Sequence, residues 1–348
     1  MTIQVRLPRG AQAASSTPRI LAHQVDELQP KGGSTMRRYA ISFALVSLLL
    51  PVTVFSQTRT PDAAVNHFKN ALKKSADGDF DSAIEDYTRA IRLSSHFDTN
   101  KTPDRLGNSF TDSNSITVID PFTANAYSNR GLARFKKGDY IGAIEDYNEA
   151  LEIRPGLAIV YLNRAAAFRA KGDLEAAVKD LDKAIALKKD FFEAFNNRGS
   201  IRLDLKDTAG ALSDLNHALE LNNRVAEPYF QRGYVHIALR NFDSALADFD
   251  RAIQISPNMA WAYQGRGTTV MLQGKMQEAI DNFNRAIDLD PTIAWSWFNR
   301  GLAKVFLGNE ADAEKDFVES LKLKPELKAE LDRRIDLARQ LRRIANTK

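Results

Sequence analysis

Asn129-Arg130-Gly131 returns as Asn163-Arg164-Ala165, Asn197-Arg198-Gly199, Gln231-Arg232-Gly233, Gly265-Arg266-Gly267 and Asn299-Arg300-Gly301, each 34 residues after the last. Twelve residues after each Gly or Ala stands an alanine: Ala143, Ala177, Ala211, Ala245, Ala279 and Ala313. A fixed period of this length is a stack of one supersecondary unit. Such stacks offer an extended binding surface rather than a reaction pocket.

Residues 124–157 serve as the reference unit. Tyr127, Gly131 and Phe135 in its first half, and Ala143, Ile144, Tyr147, Ala150 and Leu151 in its second, recur at intervals of three and four. That spacing predicts two amphipathic helices, with the turn at Gly138-Asp139. Pro155 ends the second helix, because proline has no N–H and disfavours helical geometry in the residue before it. Gly131 and Ala143 let two helix backbones approach closely. A leucine at either is expected to cost ~1–3 kcal/mol by overpacking.

This pattern resembles the tetratricopeptide repeat family. The family's fourth place, an aromatic, holds Tyr127, Tyr161, Phe195, Tyr229, Tyr263 and Trp297. Its twenty-fourth holds Tyr147, Leu181, Leu215, Phe249, Phe283 and Phe317, and its twenty-seventh holds Ala150, Ala184, Ala218, Ala252, Ala286 and Ser320. The resemblance implies an all-α, right-handed α-solenoid of helix-turn-helix repeats. Six copies run in register: 124–157, 158–191, 192–225, 226–259, 260–293 and 294–327. A seventh, at 64–97, carries Gly78-Asp79-Phe80, Ala83, Tyr87 and Ala90, with His67 in the aromatic place and Ala71 in the glycine place. The places of each copy are counted from its first residue.

Residues 98–123 interrupt the register. They are rich in Asp, Asn, Ser and Thr, which favours loop. The insert reads either as a tolerated surface excursion, since loop length costs little, or as a partner-contacting loop. After the last repeat, residues 328–348 read as a capping helix. Leu327, Leu331, Ile335, Ala338, Leu341 and Ile344 form its apolar stripe, and Arg333, Arg334, Arg339, Arg342 and Arg343 its polar outer face. A repeat stack needs such a cap to cover its last apolar face; the basic face could instead meet an anionic partner.

At the other end, Met36-Arg37-Arg38 precedes a short apolar core and small residues up to Ser56. This fits a secretory signal peptide over 36–56, cleaved after Ser56, which implies a bacterial protein exported to the periplasm or outside the cell. An uncleaved membrane anchor is the alternative; only then would a membrane be a partner. Residues 1–35 are polar and aperiodic and read as disordered, with Met36 as the expected true start. The chain holds 48 Lys+Arg and 44 Asp+Glu, a formal net charge of +4. Residues 1–56 contain six of the basic residues and two of the acids, so the remainder is neutral. General attraction to nucleic acid is therefore not expected. The absence of cysteine excludes a disulfide, a thiolate nucleophile and a lipid-modified cysteine anchor.

No metal-ligand spacing, phosphate-binding glycine loop or nucleophile-elbow serine is present, so no enzyme, metal or cofactor is expected. The sharpest recurrent polar feature is Arg130, Arg164, Arg198, Arg232, Arg266 and Arg300 at place seven. An acid recurs at place twenty-three: Asp86, Asp146, Asp180, Asp214, Asp248 and Asp316, with Asn282 as the exception. Pairing either within a repeat or between neighbours is possible. The count of mismatches favours the ladder between neighbours, such as Asp86 with Arg130.

The resemblance implies that the first helix of each repeat lines a concave groove. Transferred place by place, the groove takes Asn129, Asn163 and Asn197, then Phe230, Gln231, Tyr234 and Trp261, and last Trp295, Phe298, Asn299 and Leu302. Amides would bond the backbone of an extended peptide and aromatics would take its side chains. The lysines of a heat-shock chaperone carboxylate clamp are missing: place five reads Phe68, Ser128, Leu162, Asn196, Phe230, Gln264 and Phe298. The function expected is therefore an exported protein–protein interaction scaffold. A membrane-anchored adaptor, and a carrier or enzyme that uses the insert, are the competing readings.

Overall fold

A computed structural model describes residues 61–95 and 121–346. The readings of 1–35 as disordered, of 36–56 as a signal peptide and of 98–120 as a loop lie outside these residues. The chain falls into two compact units that meet in sequence at Gly210-Ala211. In the first, the helices are α1 (Asp62–Ala76), α2 (Phe80–Ser95), α3 (Pro121–Lys136), α4 (Tyr140–Ile153), α5 (Ala158–Lys171), α6 (Leu174–Leu187) and α7 (Phe192–Asp204). Helix α8 (Thr208–Leu221) carries the division. The second unit continues with α9 (Ala226–Ala238), α10 (Phe242–Ile255), α11 (Ala260–Leu272), α12 (Met276–Leu289), α13 (Ala294–Leu307), α14 (Glu310–Leu323), a 3-10 turn (Pro325–Leu327) and α15 (Lys328–Asn346). No strand occurs among the described residues. The fold is an all-α repeat solenoid.

Helices pair in chain order. In each unit the two helices of a repeat pack together, as α3 with α4 and α11 with α12 do. The first helix of the next repeat then packs on the second helix of the one before, as α5 does on α4 and α13 on α12. The periodic alanines sit at these seams: Ala83, Ala143, Ala177, Ala245, Ala279 and Ala313 are fully buried, and so are Ala90, Ala150, Ala184, Ala252 and Ala286.

The glycines at place eight have a sharper task than helix approach in general. A Cβ on Gly131 would lie 2.8 Å from Cε1 of Tyr147, and one on Gly267 would lie 2.7 Å from Cε1 of Phe283. Each glycine vacates the volume that the place-twenty-four ring fills. Phe249 takes two such spaces, one at Gly233 in its own repeat and one at Gly265 in the next. Place six of that repeat is therefore glycine where its neighbours carry an amide.

The turns between paired helices need a residue in the left-handed region. Gly78, Gly138, Gly172, Gly274 and Gly308 supply it, but Lys206 (φ 66°) and Arg240 (φ 60°) stand at the same place in two repeats. A side chain there costs roughly 1–2 kcal/mol. After the turn, Asp139 caps α4 by accepting from the Gly142 amide at 2.9 Å, and Asp173 caps α6 by accepting from Ala176 at 3.0 Å.

The described structure alters one boundary and one face assignment expected from the sequence. Residues 121–123 are helix, not insert: α3 starts at Pro121, whose missing N–H is harmless in the first turn. Phe122 is then fully buried against Phe68 of α1. At the other end, Arg334 does not lie on the polar outer face of the cap. Only 2% of it is exposed. Ile344, placed in the apolar stripe, is exposed instead. The reason is the seat of α15. It packs mainly on α13, the first helix of the last repeat, and meets α14, where another repeat would follow, less closely.

Candidate peptide-binding face

The place-seven arginines build the polar spine of each unit. Arg130 donates from Nε and Nη2 to Asp146, with a shortest distance of 2.7 Å. Arg164 grips Asp180, Arg232 grips Asp248 and Arg300 grips Asp316 in the same forked manner. Each of these pairs lies within one repeat, so the expected ladder of Asp86 with Arg130 and Asp146 with Arg164 is incorrect. A residue on the second helix faces its own first helix across sixteen residues, which the fork spans.

The link between neighbours runs through a different position. The outer guanidinium nitrogen reaches place twenty-five of the preceding repeat: Arg130 to Thr88 at 3.0 Å, Arg164 to Asn148 at 2.7 Å, Arg198 to Asp182 at 2.6 Å, Arg232 to Asn216 at 2.7 Å and Arg300 to Asn284 at 2.7 Å. Arg266 reaches Asp250 through Nε at 2.8 Å. The guanidinium groups of Arg130, Arg164, Arg198, Arg232 and Arg300 also lie against the ring at their own place four, as Arg130 does on Tyr127 and Arg300 on Trp297.

A second basic side chain often joins at place eleven. Arg134 lies 3.0 Å from Asp146 and Lys304 lies 2.8 Å from Asp316, while His236 lies 3.7 Å from Asp248. In the first repeat His67 and Lys74 together hold Asp86, at 2.9 and 2.6 Å. His67 thus carries the polar role that Asn70, standing at place seven, does not supply, besides filling the aromatic place. Where place twenty-three is Asn282, place eleven is Val270, and Arg266 donates to Asn282 Oδ1 at 2.9 Å. Where place twenty-three loses its charge, place eleven is apolar as well, although Phe168 stands at place eleven in the repeat of Asp180. This network belongs to the scaffold.

The first helices carry the candidate ligand-facing residues. In the N-terminal unit Asn129, Asn163 and Asn197 are all buried. Each leaves one amide atom without a hydrogen-bond partner in the protein: Nδ2 of Asn129, Oδ1 of Asn163 and Nδ2 of Asn197. Asn125 and Asn196 share this property through their Oδ1 atoms. Beside them, Arg169 donates from Nη2 to Ser200 Oγ at 3.1 Å and to Asp204 at 2.9 Å. Asn125 and the Arg169–Asp204 pair were missed from the sequence because neither recurs with the period.

In the C-terminal unit the candidates mostly satisfy one another. Phe230 and Tyr234 stack edge to face, with ring centroids 5.2 Å apart. The Tyr234 hydroxyl donates to Gln264 Oε1, and Gln264 Nε2 donates to Thr268 at 3.2 Å. Asn299 Nδ2 contacts the same Thr268 hydroxyl at 3.4 Å, while its Oδ1 is buried without a partner. Gln231 donates to Glu227 at 3.1 Å and leaves Oε1 unpartnered. Trp261 is half-buried. Trp295, Phe298 and Leu302 are buried beneath Leu327, Leu331 and Ala338 of the cap, with Trp295 3% exposed. The groove-facing role given to Trp295 assumed that nothing covers it; α15 does.

No group of three or more His, Cys, Asp or Glu side chains suited to a metal ion occurs among the described residues. None of the helices of the described residues is long and apolar enough to cross a membrane.

Family models described as tetratricopeptide repeat match residues 122–190, 162–226, 226–259 and 296–327, and one described as TPR repeat matches 269–308. Together they cover more than half of the chain. No curated protein matches the sequence. Among solved structures, a tetratricopeptide repeat protein from Parabacteroides merdae is similar at 19% identity and a TM-score of 0.61, over 80% of this chain and 99% of that one. The APC/C hetero-tetramer Cut9–Hcn1 is similar at 14% identity and a TM-score of 0.56, over 74% of this chain and 52% of that one. A MamA structure shares 26% identity over 49% of this chain and 93% of its own, with a TM-score of 0.44.

Proposed function

We propose, on the premise that the chain belongs to the tetratricopeptide repeat family, that this protein–protein interaction scaffold takes an extended peptide segment of its partner along the first helices of repeats two to four. One observation carries the reading. Asn129, Asn163 and Asn197 stand at the same place of three consecutive repeats, and each buries an amide atom that no protein group satisfies. A buried polar atom left without a partner costs ~1–3 kcal/mol. A peptide backbone offers both N–H and C=O groups along its length and can supply partners of both kinds once the amide side chains, whose unpartnered atoms are covered in the free protein, turn toward it.

Pull-down of partners by the full chain tests this. Asn163→Ala combined with Asn197→Ala is expected to reduce partner recovery at least ~10-fold, the equivalent of about 1.4 kcal/mol. Recovery equal to wild type from a variant with an unchanged helical spectrum sinks the reading.

The same scaffold is exported, on the pattern of charge and apolar core in 36–56. N-terminal sequencing of the native protein is expected to begin at Gln57. A start before Ser56 would support the anchored form and overturn cleavage.

A further inference from the structure

The last repeat differs from the others in what lies on its first helix. Trp295, Phe298 and Leu302 occupy places two, five and nine, which upstream hold Asn125, Ser128 and Leu132 or Trp261, Gln264 and Thr268. Here an element of the same chain covers them. Leu331, Ala338 and Leu341 of α15 are buried, and between them Arg334 lies over both rings, its guanidinium carbon 5.8 Å from the Trp295 centroid and 5.4 Å from that of Phe298. Its Nε donates to Glu330 one turn earlier at 2.6 Å.

The seat is snug on one side and loose on the other. Leu327, Leu331, Ala338 and Leu341 are the apolar anchors, and the rest of the helix is largely charged. A cleft of about 310 Å³ remains between α14 and α15, floored by Phe317, Val318, Leu321, Leu331 and Ile335. At the far end Arg339 and Arg342 hold Glu310 at 2.8 and 3.5 Å, in partly exposed contacts that contribute little each. Burying Arg334 carries a desolvation cost that the rings and Glu330 only offset. Helices held by one narrow face and exposed ion pairs open locally before the body they rest on.

We infer that α15 is a displaceable occupant of a second binding surface, and that the surface accepts a partner's amphipathic helix which repeats the chemistry of α15: a leucine, an arginine three residues on, a small residue four further and a leucine three beyond. The occupant now seated there defines the ligand. Trp295 and Phe298 present π-faces to one cation, Leu302 and Val305 lie in the same buried cluster, and helix-in-groove recognition reads such i, i+3 and i+7 anchors. The surface is mostly closed in the isolated chain, so the apparent affinity is scaled down by the small fraction of time α15 is unseated. This inference does not depend on the amides of repeats two to four.

The experiment uses the full chain and, as probe, a labelled peptide of residues 325–346. Arg339→Ala with Arg342→Ala releases the Glu310 clip without removing a buried group. The peptide is expected to bind this variant about tenfold more tightly than wild type. Peptide carrying Arg334→Ala should lose about tenfold, and so should Trp295→Ala in the released chain. Equal affinity for wild type and released chain, or indifference to the peptide's Arg334→Ala, overturns the inference; that peptide change cannot unfold the protein. Hydrogen exchange on wild type is a second check: α15 amides should exchange about a hundredfold faster than those of α13. Equal protection of the two overturns displaceability. Dimerisation of the released chain that Trp295→Ala abolishes would overturn the assignment of a foreign helix in favour of a second copy.

Discussion

Asp316→Asn tests whether the charges of each repeat are set as a group. Asp316 receives Arg300 Nη2 at 2.6 Å and Nε at 3.0 Å, and Lys304 Nζ lies 2.8 Å away. The side chains of Asp316, Arg300 and Lys304 are 2%, 15% and 18% exposed, so water screens them little. Asparagine keeps an acceptor for Arg300, as Asn282 does for Arg266 at 2.9 Å, but leaves two partly buried cations without a counter-charge. Breaking a buried ion pair in this way costs about 3–5 kcal/mol, and the retained hydrogen bond brings the expected loss to about 3 kcal/mol. Lys304→Val alone should cost about 1–2 kcal/mol, because Arg300 still neutralises the carboxylate. The double variant reproduces the set Arg266, Val270 and Asn282 found one repeat upstream, and should cost no more than about 1–2 kcal/mol. The cycle thus predicts a coupling of about 2 kcal/mol or more. Repeat arrays unfold in parts, so the readout is native-state hydrogen exchange of α13 and α14 amides rather than one global midpoint. A coupling below about 0.5 kcal/mol would refute the idea that place eleven and place twenty-three are matched.

Tyr147 buries a hydroxyl with no partner, and burial drives its ionisation far above the ordinary tyrosine range. Tyr147→Phe, the residue used at Phe249, Phe283 and Phe317, should stabilise repeat two by about 1 kcal/mol in urea unfolding. Arg240→Gly removes a side chain from φ 60° and should raise stability by about 1 kcal/mol, read as slower exchange in α9 and α10. Gly301→Leu drives a side chain into the Phe317 ring and should cost at least about 3 kcal/mol, seen as a lost upper segment of the thermal transition. Burial lowers the pKa of His236 against the opposing pull of Asp248, so its neutral form is favoured in the fold. That contribution is full above the unfolded value near 6.5 and is lost as pH falls below it. Exchange protection of α9 should therefore weaken between about pH 7 and 5, and His236→Gln should flatten that slope.

The periodic residues were legible because the same volume is solved again in every repeat. Ala143, Gly131 and Tyr147 read correctly from their spacing alone, since a ring that fills a helix seam demands a missing side chain opposite it. The arginine partner was misread. Counting mismatches treats neighbours as equivalent, but the fork of Arg130 reaches Asp146 across the pair of helices that the turn joins, and only its outer nitrogen reaches the previous repeat. The candidate face was legible in part. The amide positions follow the period, whereas Asn125 and the Arg169–Asp204 pair do not and carry no signal in one sequence.

The end of the stack marks the boundary between the two kinds of information. Sequence by itself determined the repeat, its helices, its turns and the need for a cap, because each follows from local periodicity and from residues that restrict the backbone. Tertiary structure alone decided where the cap sits. An amphipathic helix can cover either α13 or α14, and its pattern is the same in both seats. Packing on α13 buries Arg334 over Trp295 and Phe298, and turns an aromatic surface expected to be open into one that a partner must compete for.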